Sequence, residues 1–311
     1  HYDTAEIGKF PERRKPISLR PQLTSLDSAI NYNDIYSQLN LLSLCIYTPS
    51  NYIFSSKMQK YMDITHNKGE GLTQTGREEG IRKLMSINLL KRLESSVNSF
   101  LLTLQRIESL IKDTIEAINR FEKSGKTDID MYEVSDSEWD LDDSNTEYFT
   151  VGKKVKIELA DMDYITWRKE LIADAETLEL LRLMIEEIRP EYDSKLQELL
   201  SLISKKIENP INPGNKKVLI FSAFSDTAEY LYEQVSTYIK KKYGLETAVI
   251  TGTIDGKTTI KGFKATLNNV LTCFSPISKG KDLLMPDSNT EIDILIATDC
   301  ISEGQNLQDC D

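Results

Sequence analysis

Residues 249–259, VITGTIDGKTT, have the residue types of a phosphate-binding loop, because an apolar run leads into glycines followed by lysine and threonine. In such a loop four residues separate the first glycine from Gly-Lys-Ser/Thr, and the backbone N–H groups wrap around the phosphates. Here only three residues separate Gly252 from the Gly-Lys-Thr at residues 256–258. Asp255 would also place a carboxylate in a nest that binds anions. The sequence therefore argues against a phosphate site here, and no other stretch offers a better one.

Apolar residues in the first part of the chain recur at helical spacing. Residues 36–50 read as a short helix that stops before a proline. From residue 81 onward the apolar residues alternate three- and four-residue spacing, which is typical of a helix packed along a partner helix. We expect one long helix over residues 90–121. The same pattern returns over residues 164–188, so the two stretches should form an antiparallel helical pair.

The last third of the chain has a different pattern, in which short apolar runs alternate with amphipathic stretches. Such alternation predicts an α/β fold, with a parallel sheet covered by helices on both faces. The run at residues 217–224 has the continuous apolar character of a fully buried strand. The predicted order is helix 192–207, strand 217–224, helix 226–242, strand 246–252, helix 259–271 and strand 292–298.

These patterns divide the chain into three parts: an N-terminal helical and irregular segment at 1–70, a helical insertion at 71–190 and an α/β domain at 191–311. Within the insertion, an acidic linker at 127–150 separates the two helices. A run of this kind is usually a solvated linker, although it could also mimic nucleic acid and cover a basic groove.

The composition restricts the classes of partner and compartment. The chain of 311 residues has 49 acidic and 38 basic residues, so its net charge does not favour nucleic acid, although a local basic groove is allowed. The four cysteines form no CxxC pair, which gives no sign of a metal site or a disulfide framework and fits a reducing cytoplasm. No apolar window is long enough to cross a bilayer, so no membrane partner is expected.

Residues 293–311, DILIATDCISEGQNLQDCD, resemble motif V of superfamily 2 helicases and translocases, in the form found in bacterial Swi/Snf-like and RapA-like proteins. Residues 214–231 resemble motif IV, which opens the second RecA-like lobe of these enzymes. Residues 249–263 resemble the strand, glycine turn and helix that follow motif IV. Residues 76–100 are similar to the helical protrusion that the family inserts between its lobes.

The resemblance implies a truncated RecA-like C-terminal lobe with a long antiparallel helical insertion. It implies a role in ATP-dependent translocation or unwinding. The implied partners are a nucleic acid, with duplex DNA favoured, and the first RecA-like lobe of the same polypeptide. ATP and Mg²⁺ would be bound mainly by that first lobe. We expect the chain to be a fragment that lacks the first lobe and motif VI, and therefore to hydrolyse no ATP alone.

The resemblance also assigns candidate site residues. Those near the nucleotide would be Gly304, Gln305 and Asn306, whereas Ser222, Gly252 and Thr298 would contact the nucleic-acid backbone. Ser222, Gly252 and Thr298 should share one sheet edge, because open parallel sheets place ligands at the carboxyl ends of their strands. A basic patch on the protruding helix could meet phosphates as well; its residues are Arg82, Lys83, Lys91 and Arg92.

The sequence leaves other interpretations open. Residues 302–307 could be a plain helix N-terminus, and the basic patch could be ordinary solvated pairing with Glu78, Glu79 and Glu94. The helical seam also supports a non-catalytic coiled-coil scaffold, or protein-interaction module, on a degenerate nucleotide-binding fold. The acidic run suits a regulator that occupies the DNA groove of a partner.

Overall fold

The computed structural model describes residues 15–26, 30–62, 74–124, 128–129, 157–252, 256–301 and 305–310. They form a mixed α/β protein with a helical unit and an α/β unit. The helical unit contains α1 (Tyr32–Leu39), α2 (Met58–Met62), α3 (Gln74–Ser95), α4 (Val97–Ser124), α5 (Tyr164–Glu186) and an antiparallel pair of short strands, β1 (Asp128–Ile129) and β2 (Ile157–Glu158).

The expected antiparallel helical pair is confirmed as α4 and α5. Near the end of α4, Asn119 accepts a hydrogen bond from Arg168, which lies near the start of α5. Farther back along α4, Glu108 accepts a bond of 2.9 Å from Arg182 in the last turns of α5. Most apolar positions of the seam are buried, and Trp167 is the largest of the side chains that are fully buried.

The expectation of one long helix over residues 90–121 is wrong in one respect, because Ser96 separates α3 from α4. The Ser96 hydroxyl accepts a hydrogen bond of 3.0 Å from the amide of Ser99 and so caps the start of α4. Helical bonds continue on both sides, since the Ser96 amide donates to the Arg92 carbonyl and the Phe100 amide donates to the Ser96 carbonyl. Spacing of apolar residues does not reveal this cap, so the pattern suggested a continuous helix.

The short helix expected over residues 36–50 is also only partly present, because α1 ends at Leu39. Leu44 has a positive φ of 51°, and short 3-10 turns follow it. The buried carboxylate of Asp174 on α5 holds this turn, since it accepts bonds from the Ser43 amide and hydroxyl and from the Cys45 amide at 2.8 to 3.1 Å. A distant carboxylate thus fixes a local conformation that the sequence pattern did not show.

A single hydrophobic core joins the N-terminal segment to the helical pair. Its buried members run from Leu23 to Ile188. Polar groups support the same junction: the buried carboxylate of Glu78 on α3 accepts from the amide and hydroxyl of Ser50. Glu78 is therefore a core acceptor and not part of a solvated pair on the helix surface. Residues from the expected segments 1–70 and 71–190 thus pack as one unit.

The α/β unit follows. Its elements are α6 (Ser194–Glu208), β3 (Val218–Phe221), α7 (Ser225–Tyr243), β4 (Thr247–Ile250), β5 (Lys257–Thr258), α8 (Leu267–Phe274), α9 (Lys281–Leu284) and β6 (Ile294–Ala297). The sheet order is β3-β6-β4-β5, with β3, β6 and β4 parallel and β5 antiparallel to β4. One apolar cluster, with α6 and α7, covers one face of the sheet, and another, with α8, covers the opposite face. The prediction of an α/β unit with a parallel sheet covered on both faces is confirmed.

Two local expectations in this unit are wrong. Strand β3 is not fully buried, because it pairs only with β6 among the described strands, and the side chain of Phe221 is 49% exposed. The helix expected over residues 259–271 begins only at Leu267, where the Thr266 hydroxyl caps it. The residues ahead of it form β5 and a turn. A side chain at Gly256 would place its Cβ 2.4 Å from the Ala265 carbonyl, so only glycine allows this close approach.

Within the described part of the chain, no helix combines the length and the apolar character needed to cross a membrane.

Candidate nucleic-acid interface

Three of the expected site residues follow the carboxyl ends of neighbouring parallel strands. Phe221 of β3 pairs with Ala297 of β6, and Ala297 pairs with Ile250 of β4, so the three strands end level. The next residues are therefore neighbours at one edge of the sheet. The amide of Ser222 donates to the Ala297 carbonyl at 2.9 Å, and the amide of Thr298 donates to the Ile250 carbonyl at 3.2 Å. Gly252 lies two residues beyond β4 at the same edge.

Their side chains differ in access to solvent. Thr298 is only 1% exposed, so its hydroxyl is not open to a phosphate in this structure. Ser222 is 8% exposed, and its hydroxyl donates to the Phe224 carbonyl at 3.1 Å and accepts from the Phe224 amide at 3.2 Å. Gly252 is exposed. The edge therefore offers exposed backbone at Gly252 and a hydroxyl at Ser222 that already orders its own loop.

A cleft of about 580 Å³ opens beside Ser222, between the helical unit and the α/β unit. Its charged lining residues carry both signs: Lys91, Glu94, Asp193, Lys195 and Asp299. Burial lowers the pKa of Lys195 from its ordinary value. Its ammonium donates to the carbonyls of Glu94 and Ser95 in the last turn of α3, where a cation is favourable. Lys91 is exposed at the same cleft and is free to face a solvent-borne anion.

The basic patch expected on the protruding helix divides into separate environments. The expectation that Arg92 faces phosphates is wrong. Its side chain is 2% exposed and pairs with Asp226 at 2.9 Å. Arg82 pairs with Glu79 at 3.0 Å on the helix surface, as the interpretation of solvated pairing expected. Lys83 and Lys91 are both exposed, but only Lys91 lines the cleft. The patch is therefore reduced to Lys91 at the site.

The residues expected near the nucleotide lie on the other side of Phe221. Gln305 and Asn306 are exposed and line a shallow depression of about 600 Å³ together with Phe221 and Ile301. The side-chain oxygen of Gln305 accepts from Lys279 at 2.9 Å. Gly304 lies outside the described residues. The alternative of a plain helix N-terminus at residues 302–307 finds no helix in its described part, since a 3-10 turn covers Asp299–Ile301 and residues 305–307 are not helical.

These residues fit the sugar of a nucleotide better than its phosphates. The exposed amide of Asn306 offers a donor and an acceptor, which suits a ribose hydroxyl. The described residues that line the depression include no lysine or arginine to compensate a triphosphate. Among the described residues, no group of three or more His, Cys, Asp or Glu side chains could hold a metal ion.

The structure also bears on the phosphate-loop pattern. Lys257 and Thr258 form β5, antiparallel to β4, whereas a phosphate loop leads into a helix N-terminus. The ammonium of Lys257 pairs with Glu229 on α7. The lysine is thus engaged in an ion pair at the sheet edge, which agrees with the one-residue deficit in spacing.

Sequence reasoning missed two aspartates that hold the elements around this site together, one within the α/β unit and one between the two units. Asp193 is buried, caps α6 by accepting from the Leu196 amide at 3.0 Å, and accepts from the Tyr230 hydroxyl at 3.0 Å. An aspartate ahead of an amphipathic helix was a usable capping signal. By contrast, nothing in the sequence pairs Asp226 with arginines more than a hundred residues earlier.

Comparison with known proteins gives no relative from which to transfer a function: no family model matches the chain, and searches of curated proteins and of solved structures find no significant match.

Proposed function

We propose that this chain is the C-terminal RecA-like lobe, with its helical insertion, of an ATP-dependent DNA translocase or helicase of superfamily 2. The observation that carries the proposal is the level ending of β3, β6 and β4. It puts the stretches that resemble motif IV, the following glycine turn and motif V at one edge of the sheet. That edge is where an open parallel sheet binds its ligands.

In this role the edge would grip the backbone of a nucleic acid. The exposed backbone at Gly252 and the loop at Ser222 provide polar groups that suit phosphate and sugar, and such contacts carry no base sequence. Lys91 would add one mobile positive charge from the helical unit. Since the cleft also contains acidic residues, the grip would be local and weak, which suits a protein that moves along its substrate.

The first test is the affinity of the chain for duplex DNA. We expect Lys91→Ala to weaken binding and to reduce the slope of log affinity against log salt by about 1, as for the loss of one phosphate contact. Fluorescence anisotropy with a labelled duplex over a salt series measures both quantities.

The matched control is Lys169→Ala. It removes the same charge from an exposed position on α5 that does not line the cleft, so affinity should stay unchanged. Equal weakening by both substitutions would show that net charge, not the cleft, governs binding. Absence of any binding by the unaltered chain at low salt would count against the proposal and favour the protein-interaction scaffold.

The second test addresses the nucleotide, in a polypeptide that carries both lobes. There Asn306 would contact the ribose, and we expect Asn306→Ala to lower kcat/KM for ATP by about tenfold, as for the loss of one hydrogen bond. The measurement is ATP turnover with and without duplex DNA. Asn268→Ala is the control and should leave turnover unchanged. Asn268 is exposed on α8 and lines neither the cleft nor the shallow depression. If neither duplex DNA nor the Asn306→Ala substitution changed ATP turnover, this role would be rejected.

A further inference from the structure

The helical unit and the α/β unit meet through directional polar contacts. Their apolar clusters are separate, since the first ends at Ile188 and those of the α/β unit begin at Leu196. Where α3 ends and α4 begins, the hydroxyls of Ser95 and Ser96 lie 2.8 and 2.9 Å from the hydroxyl of Thr227 on α7. Because hydrogen bonds depend on angle as well as distance, this junction fixes the orientation of the two units.

Arg92 is the central side chain of the junction. Its guanidinium donates to Asp226 at 2.9 Å and to the Ser99 hydroxyl at 3.2 Å. It also lies 4.5 Å over the ring of Phe224, a cation–π contact. Arg106 shares the carboxylate of Asp226, with bonds of 2.9 and 3.2 Å, but it is more exposed. Arg92, a residue of α3, therefore contacts α4 and the start of α7 at once.

One residue that Arg92 contacts, Phe224, belongs to the loop that leaves β3. Phe224 is 4% exposed and is held from two sides, by the guanidinium of Arg92 and by the hydroxyl of Ser222. Ser222 is in turn bonded through its amide to β6 at the sheet edge. A shift of Arg92 would therefore reach Ser222 through one intervening residue, Phe224, whose ring contacts Arg92 and whose backbone bonds Ser222.

We propose that Arg92 is a positioning residue that couples the helical unit to the loop of residues 222–224 and so sets the geometry of the sheet edge. It acts through Phe224 and does not touch a ligand itself. The part of this inference that concerns DNA rests on the proposed function, whereas the coupling of the loop stands on the contacts alone. In consequence a displacement of the helical unit is transmitted to the sheet edge at Ser222, and a displacement of that edge is transmitted to the helical unit.

Amide hydrogen exchange tests the coupling without any ligand. In Arg92→Met we expect the amides of Ser222 and Phe224 to exchange about tenfold faster, because the loop loses its charged anchor. Arg82→Met is the matched control, since it breaks a surface ion pair on the same helix and should leave these amides unchanged. Unchanged exchange in a folded Arg92→Met protein would overturn the inference.

A second variant covers the case in which Arg92→Met does not fold. Phe224→Leu removes the ring but leaves the ion pair between Arg92 and Asp226 in place. The same amides should again exchange faster, and unchanged exchange would overturn the inference.

A double-mutant cycle in DNA affinity then separates positioning from mere stabilisation. We expect Ser222→Ala and Arg92→Met each to weaken duplex binding, and the double variant to bind no more weakly than the weaker single variant. Additive losses of duplex affinity in the double variant would reject the positioning role. So would a variant that has a lowered unfolding temperature but binds duplex with unchanged affinity well below that temperature. If the unaltered chain binds no duplex, the proposed function fails, while the exchange measurement still decides whether Arg92 holds the loop.

Discussion

Replacement of Asp226 by alanine is expected to lower the free energy of unfolding by about 3 kcal/mol, because it leaves the buried guanidinium of Arg92 without its carboxylate. We place the effect at the lower end for a broken buried ion pair, since the side chain of Asp226 keeps 17% exposure. Arg106 loses the same partner and adds to the excess of positive charge. Urea unfolding followed by circular dichroism measures the change.

Two comparisons make this expectation specific. Glu79→Ala removes the carboxylate of an exposed pair with Arg82 and should change stability by about 0.5 kcal/mol or less. Adding Arg92→Met to Asp226→Ala should restore part of the lost stability, because the buried positive charge that Asp226 compensated is then removed as well. A double variant as unstable as the sum of its single variants would show that the pair does not act as a unit.

Truncation of Trp167 to alanine is expected to destabilise the helical unit by about 4 kcal/mol, as for other large aromatic side chains removed from a packed core. The side chain is completely buried, and its ring centre lies 6.1 Å from that of Tyr52. Its indole N–H also donates to the Cys45 carbonyl at 3.2 Å, which ties α5 to the turn after α1. Urea unfolding again provides the measurement.

Trp167→Phe separates packing from hydrogen bonding. It keeps an aromatic ring but leaves the Cys45 carbonyl without the indole donor, so we expect a smaller loss of about 1–2 kcal/mol. Leu183→Ala is the control on the same helix, because its side chain is 52% exposed and its truncation should have little effect. A loss of stability in Leu183→Ala as large as that in Trp167→Ala would mean that the outer face of α5 is also covered.

The stability losses expected for Asp226→Ala and Trp167→Ala have different physical origins. Around Trp167 the helical unit is held by close apolar packing, which tolerates no loss of volume. Around Asp226 the two units are held by charge and hydrogen bonds. Such a polar junction keeps a definite orientation and buries less apolar surface, so it is the natural place for one unit to influence the other.

The sequence determined the elements whose apolar periodicity is strong. Spacing alone predicted the antiparallel pair of α4 and α5, and the alternation of runs predicted the parallel strands β3, β4 and β6 with helices on both faces. These features follow from the sequence because each depends on a repeat within one segment, and one face of that segment must be buried. The same repeat could not show the cap at Ser96, which depends on a single hydroxyl.

Which candidate residues share a site depends on contacts between distant segments of the chain. The tertiary structure brought Ser222, Gly252 and Thr298 to one edge, but it buried Thr298 and turned Arg92 inward to Asp226. Periodicity carries no information about such pairs, because an arginine on a helix has the same local pattern whether it meets solvent or a carboxylate 134 residues away. The sequence thus fixes which faces are apolar, whereas long-range packing and charge pairing decide which polar groups remain open to a ligand.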